Sequence, residues 1–125
     1  MLKKYKYSLI LSLVILILSL KNAEDLNKVQ FLNIPHFDKI AHACMYFALM
    51  SVLIYETWKH SLKVTNVMLL ACFPFVYGVL IEIMQATLTS TRSGSFYDAV
   101  FNTLGIILSI LVWIIIRRVY SEKFR

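Results

Sequence analysis

Apolar runs long enough to cross a bilayer, separated only by short polar links, constrain this chain more than any other feature. They cover about residues 5–20, 37–58, 64–88 and 96–116. A run of about 20 apolar residues closes its own backbone hydrogen bonds as a helix and matches a hydrocarbon core near 30 Å thick. Composition narrows the alternatives further. With 59% hydrophobic residues, three Gly and two Pro in 125 residues, the chain has too little polar surface for a soluble globule. The expected fold is therefore all-α, a four-helix transmembrane bundle forming one domain over residues 1–125.

The formal net charge of +6 would point to nucleic acid in a soluble protein. Here the basic residues flank apolar runs instead, so membrane topology accounts for them and no nucleic-acid partner is expected. Four spans put both termini on one side. Lys3, Lys4, Lys6, Lys59, Lys63, Arg117, Arg118, Lys123 and Arg125 share that side, and Lys21, Lys28, Lys39 and Arg92 face the other. The positive-inside rule makes the richer side, and both termini, cytoplasmic. The N-terminal MLKKYKY and the apolar run after it have the flank and core of a signal peptide. No small-x-small cleavage site follows, because Lys21 stands at the recognition position ahead of Ala23, so the segment is expected to be kept. Ser8, Ser12 and Ser19 lie near one face of it, which suits close helix packing.

Polar residues inside the later runs fall on stripes. Asp38 and His42, four apart, open the second run with Lys39 beside them. Gly78, Glu82 and Gln85 follow one another near the end of the third run, beyond Pro74, which is expected to bend that helix. Asp98, Asn102, Gly105 and Ser109 repeat along one face of the fourth. The link between the last two runs holds Arg92, Ser93 and Ser95. From the outer helix ends, His42 lies about 6 Å deep, and Glu82 and Asn102 about 9 Å deep. An ionisable group inside a span costs about 2.5–3.5 kcal/mol, so a cluster at one depth implies a paired or hydrated pocket open to the outer face.

The segments DKIAHACMYFAL from Asp38, EIMQ from Glu82 and R-S-x-S-x-x-D-x-x-x-N-x-x-G from Arg92 to Gly105 resemble, in order and spacing, the VanZ-like family. The resemblance covers roughly residues 38–109. It implies a small bacterial integral membrane protein of the cytoplasmic membrane, in a family named for a member associated with resistance to the glycopeptide teicoplanin. Asp38, Lys39, His42, Tyr46, Glu82, Gln85, Arg92, Asp98, Asn102 and Gly105 match the family's pattern. Ser109 and Met50 stand where glycine is common, and Thr89–Thr91 replaces a link that often holds Pro and Gly.

Each group has a structural and a functional reading. Asp98, three residues after Ser95, closes a helix start as a capping pair or belongs to the site. Asp38 gains from the helix dipole or takes part in chemistry. Glu82 lies near no helix start and needs a partner, with Arg92, Lys39 and His42 as candidates. His42 is a general base or a hydrogen-bonding packing residue. Arg92 with Ser93 and Ser95 forms an anion cradle or an ion pair to Glu82. Tyr55, Trp58 and Trp113 are expected as interface anchors.

Glu82, Asp98 and His42 also have metal-ligating chemistry, but no compact motif unites them, so no metal or other cofactor is expected. Cys44 and Cys72 lie at depths of about 9 and 20 Å, too different for a disulfide.

Two functions follow. The first is a cell-envelope protein that binds an anionic lipid or lipid-linked wall precursor through Asp38, Lys39, His42, Glu82, Gln85, Arg92, Ser93, Ser95, Asp98 and Asn102, and so modulates sensitivity to envelope-directed antibiotics. The second is a membrane-embedded hydrolase or transferase acting on such a lipid, with His42, Glu82 or Asp98 as acid/base groups. The first is favoured, because the sequence contains no visible nucleophile–base pair.

Overall fold

The computed structural model describes residues 2–20, 37–58, 62–88 and 96–123. Among them the chain forms four helices and no strand: α1 (Lys6–Leu20), α2 (Phe37–Thr57), α3 (Val64–Leu88) and α4 (Phe96–Lys123). The all-α bundle expected from the apolar runs is therefore the observed fold. Large apolar side chains such as Leu13, Ile17, Leu69, Phe75, Ile107 and Ile115 face outward. Such an exterior suits lipid rather than water, and the polar side chains are turned in.

Helix lengths qualify the four-span reading. Helices α2, α3 and α4, of 21, 25 and 28 residues, are long and apolar enough to cross a membrane. Helix α1 has 15 residues. At about 1.5 Å per residue it is ~22 Å long, short of a hydrocarbon core near 30 Å. Its apolar run stops at Lys21, which lies outside the described residues. Helix α4 differs in the other direction. It continues past Arg117 and Arg118 to Lys123, since neither Gly nor Pro follows to stop it. Pro74 is buried within α3, and the helix continues through it.

The helices alternate in direction. Ser51 Oγ lies 2.8 Å from Ser109 Oγ, and Gly105 meets the Ala43–Phe47 backbone, so α2 and α4 run parallel. Gly78 faces Tyr46 while Glu82 faces His42, which makes α3 antiparallel to α2. The α2–α4 contact is the closest. A Cβ on Gly105 would fall 2.2 Å from the carbonyl oxygen of Ala43 and 3.0 Å from the amide nitrogen of Phe47. Only a residue without a Cβ lets two backbones come this near. The core between the helices is filled by Tyr46, Leu49, Met50, Ile81, Ile106 and Trp113.

Helix α1 docks on α2 and α3 through a buried stripe of Ser8, Ser12, Ile15 and Ser19. A helix leaves its first amides and last carbonyls without internal partners, and in an apolar setting these need acceptors and donors. The bundle supplies both. Glu56 near the end of α2 accepts from Tyr7 N at 2.8 Å, Ser8 N at 3.3 Å and Ser8 Oγ at 2.6 Å, while Gln85 Nε2 of α3 donates to Ser19 O at 2.7 Å. Between them Tyr77 Oη donates to Ser12 O. The N-terminus of α1 thus meets a carboxylate, with the sign its dipole favours.

Gly105→Ala is expected to destabilise the bundle by about 1–3 kcal/mol or more, as overpacking against backbone does. Gly78→Ala should cost less, because its nearest neighbours at 3.1 Å are side-chain atoms of Asn102 and Tyr46. Thermal melts in mild detergent would reverse that order if the backbone contact were unimportant. Glu56→Ala removes a charged acceptor from the α1 amides at a cost of about 1.5–3 kcal/mol, or roughly tenfold or more faster hydrogen exchange at Tyr7 and Ser8. Unchanged exchange at those amides would show that Glu56 does not hold the helix.

Candidate functional site: a buried imidazole among three carboxyls

The end of the bundle that holds the starts of α2 and α4 and the end of α3 gathers the polar stripes. Asp38, His42 and Tyr46 lie one turn apart on α2, Gly78 and Glu82 one turn apart on α3, and Asp98, Asn102 and Gly105 on α4. Each side chain here is buried except Asp38. Membrane helices bury such residues when they serve one another or a ligand.

His42 is the centre. Its Nδ1 is 3.0 Å from Asn102 Oδ1 and 3.6 Å from Glu82 Oε1, and its Nε2 is 3.8 Å from Asp38 Oδ1. With Asn102 Oδ1 as the acceptor, the tautomer that makes this a hydrogen bond has the ring proton on Nδ1. The distances to the carboxylates are too long for hydrogen bonds. The side chain of His42 is 2% exposed and that of Asp38 is 54% exposed, so the carboxylate marks the opening of an otherwise enclosed group.

Two donors nearby are unused. Tyr46 Oη and Asn102 Nδ2 are buried with no hydrogen-bond partner among the described residues. Gly78 makes room for both, since a Cβ there would stand 3.1 Å from Asn102 Nδ2 and 3.1 Å from the Tyr46 ring. Asp98 is buried in the first turn of α4. One ligand-capable atom each from Asp38, His42 and Asp98 lies within 4.8 Å of the others. The metal-ligating grouping read from sequence had Glu82 where the structure puts Asp38, because Asp38 shares the His42 face and Glu82 approaches the opposite ring nitrogen.

Other candidate residues have different surroundings. The Lys39 ammonium lies 5.1 Å from the centroid of the Tyr97 ring, a cation–π contact at the rim. Gln85 is held by the end of α1. Arg92, Ser93 and Ser95 lie outside the described residues, and with them the Arg92–Glu82 pair and the Ser95–Asp98 cap. Of the three expected partners of Glu82, the structure puts the His42 imidazole beside it. Cys44 and Cys72 are free thiols on the exterior.

At the opposite end, Trp113 is buried and meets Trp58 edge-on at 6.5 Å, with Arg117 over its ring at 5.4 Å. Trp113 is thus a core residue rather than an interface anchor, because the α2–α4 pairing turns its face inward. A cavity of about 980 Å³ at this end is lined by Lys3, Lys4, Lys6, Tyr55, Trp58 and Tyr120. The polar site and the basic residues therefore occupy opposite ends of the bundle. Sequence reading passed over Glu56 and Tyr77. The visible signal for Glu56 was a lone carboxylate near the end of an apolar run.

The family model described as VanZ/LLP1 matches residues 3–117. The chain belongs to the VanZ/LLP1 family. The match extends beyond residues 38–109 to include α1, so the docked first helix is part of the family domain. No curated protein and no solved structure matches. With the family and three helices of membrane-spanning length, the chain is a VanZ-like membrane protein.

The tautomer is open to measurement. Side-chain ¹⁵N spectra of the VanZ-like chain in micelles should show His42 protonated on Nδ1 and bare on Nε2. Replacing Asn102 with Leu removes the principal acceptor and should mix the tautomers. A wild-type spectrum with the proton on Nε2 would contradict the arrangement.

Proposed function

We propose that this VanZ-like protein works in the bacterial cytoplasmic membrane, receiving the headgroup of an anionic lipid or lipid-linked wall precursor at the His42 end of the bundle. It thereby modulates sensitivity to envelope-directed antibiotics such as glycopeptides. One observation carries the reading: His42, Glu82 and Asn102 are buried together on three helices, with buried Asp98 one turn nearer the opening at the half-exposed Asp38. A cluster this expensive to bury in a membrane is expected to meet a polar ligand. Lys39 at the rim and Arg92 in the following link supply positive charge for an anionic group.

Orientation follows from the separation of the two ends. Lys3, Lys4 and Lys6 gather with Trp58 and Tyr120 at the end away from His42. By the positive-inside rule that end is cytoplasmic with both termini, and the site faces the outer leaflet. A reporter fused after Ser61 should then read as cytoplasmic and one inserted after Ser90 as external. The same side for both would reject the arrangement.

A second reading is favoured by the imidazole itself. With Nδ1–H held by Asn102 and Nε2 turned toward Asp38, His42 has the base-and-orienter geometry of general acid/base catalysis, which suits hydrolysis or transfer on the bound lipid. Native mass spectrometry in mild detergent separates the two. A retained anionic lipid that is lost in Arg92→Ala, with no product, supports binding. Product formed from added lipid and lost in His42→Ala supports turnover. Neither a retained lipid nor a product would overturn both.

A further inference from the structure

We propose that the basic cavity at the end of the bundle away from His42 holds the headgroup of an anionic phospholipid from the leaflet on that side. This is a second site, and it does not rest on the reading of the first.

Three parts of the chain build its walls. Lys3, Lys4 and Lys6 come from the segment that opens α1, Tyr55 and Trp58 from around the end of α2, and Tyr120 from the last turns of α4. Glu56 brings the first two together, because its bonds to Tyr7 N and Ser8 N seat the start of α1 on the end of α2. The continuation of α4 past Arg117 and Arg118 supplies the third wall, with Ile116 and Tyr120 four apart on one face. The cavity measures about 980 Å³, which suits a headgroup-sized ligand rather than a single ion.

Positive charge is left uncompensated there. Among the described residues, Glu56 is the one carboxylate lining the cavity. It is already committed to α1, accepting from Tyr7 N at 2.8 Å, Ser8 N at 3.3 Å and Ser8 Oγ at 2.6 Å. None of the three lysines makes an ion pair among the described residues. Lys4 and Lys6 lie over the Tyr5 and Tyr7 rings at 5.2 and 4.6 Å, contacts that leave their charge in place. Like charges gathered this way repel one another, and an anion among them turns the repulsion into attraction.

The surroundings select a lipid as the source of that anion. Tyr55, Trp58 and Tyr120 are exposed rings, of the kind that settle where hydrocarbon gives way to headgroups. Exposed Ile115, Ile116 and Val119 carry the apolar exterior of α4 up to the cavity. A phosphate at the lysines thus has an apolar surface beside it for its acyl chains, which a soluble anion would leave unused. Basic pockets between membrane helices on the positive side take such headgroups.

The cavity carries its own reporter. Trp58 lines it, Trp113 meets Trp58 edge-on at 6.5 Å, and these are the two tryptophans of the chain. The full chain would be reconstituted in phosphatidylcholine vesicles with a rising minor fraction of phosphatidylglycerol brominated on its acyl chains near the glycerol, and tryptophan fluorescence followed. Quenching that saturates at a low fraction is expected. Lys3→Gln, Lys4→Gln and Lys6→Gln should each raise the fraction needed for half-quenching roughly fivefold. Arg118→Gln and Lys123→Gln remove the same charge from exposed residues at that end which do not line the cavity, and should shift it much less. Lys3 precedes α1, so Lys3→Gln keeps the test valid even if Lys6→Gln loosens the helix, which hydrogen exchange at Tyr7 and Ser8 would reveal. Equal quenching by brominated phosphatidylcholine, or an equal shift in the Arg118 and Lys123 variants, would reduce this end to a charged surface and overturn the proposal. Displacement of the labelled lipid by inorganic phosphate would assign the cavity to a soluble anion and overturn it too. Arg92→Ala should leave the quenching unchanged. Quenching intact with no lipid retained at the His42 end would reject the first site and support this one, and the reverse result would do the opposite.

Discussion

The close approach of two backbones at Gly105 is the constraint on which the rest of the bundle depends. A Cβ at that position would overlap the Ala43 carbonyl, so α2 and α4 touch without intervening side chains. Dispersion between surfaces this close, rather than the hydrophobic effect, holds helices together in lipid. The contact also fixes the relative register of α2 and α4. One turn toward their starts it aligns Asn102 with His42, and one turn the other way Ser109 with Ser51. A different register would separate the His42–Asn102 pair and leave both groups buried without each other.

Helix α3 completes the site, and α1 fastens α3 to α2. Gly78 admits Tyr46 and Asn102, and Glu82 is presented one turn further along. The described part of helix α1, Lys6–Leu20, is met at both ends by a side chain of the right polarity, Glu56 at its amides and Gln85 at a carbonyl. Gln85 thereby links the framework to the site, because it lies less than one turn beyond Glu82 on the same helix. The helix that looks most like a detachable leader is in this family domain a structural member.

Charge is divided along the bundle axis. Basic and aromatic residues collect at one end, and the imidazole with its carboxyls at the other. Such polarity orients a protein in the membrane and gives its two faces different chemistry. The acidic end would repel an anionic headgroup if left to its carboxylates alone. At the same end Lys39, lying against the Tyr97 ring, supplies a positive charge.

The helices and the inward faces of α2, α3 and α4 were legible in the amino-acid sequence, for a simple reason: apolar length sets the element, and polar residues three and four apart share a face. His42, Glu82 and Asn102 were also placed at one depth by counting residues from the helix ends. What only the tertiary structure decided was rotation and pairing. Lys39 turned to the Tyr97 ring, Trp113 turned into the core, and Asp38 rather than Glu82 joined His42 and Asp98. Glu56 gained its role from α1 amides some 48 residues away in sequence. Periodicity is a property of one helix, whereas these outcomes depend on the angle at which a second helix meets it. That angle is set by the shape of backbones and side chains in contact, which no spacing along a single strand of sequence records.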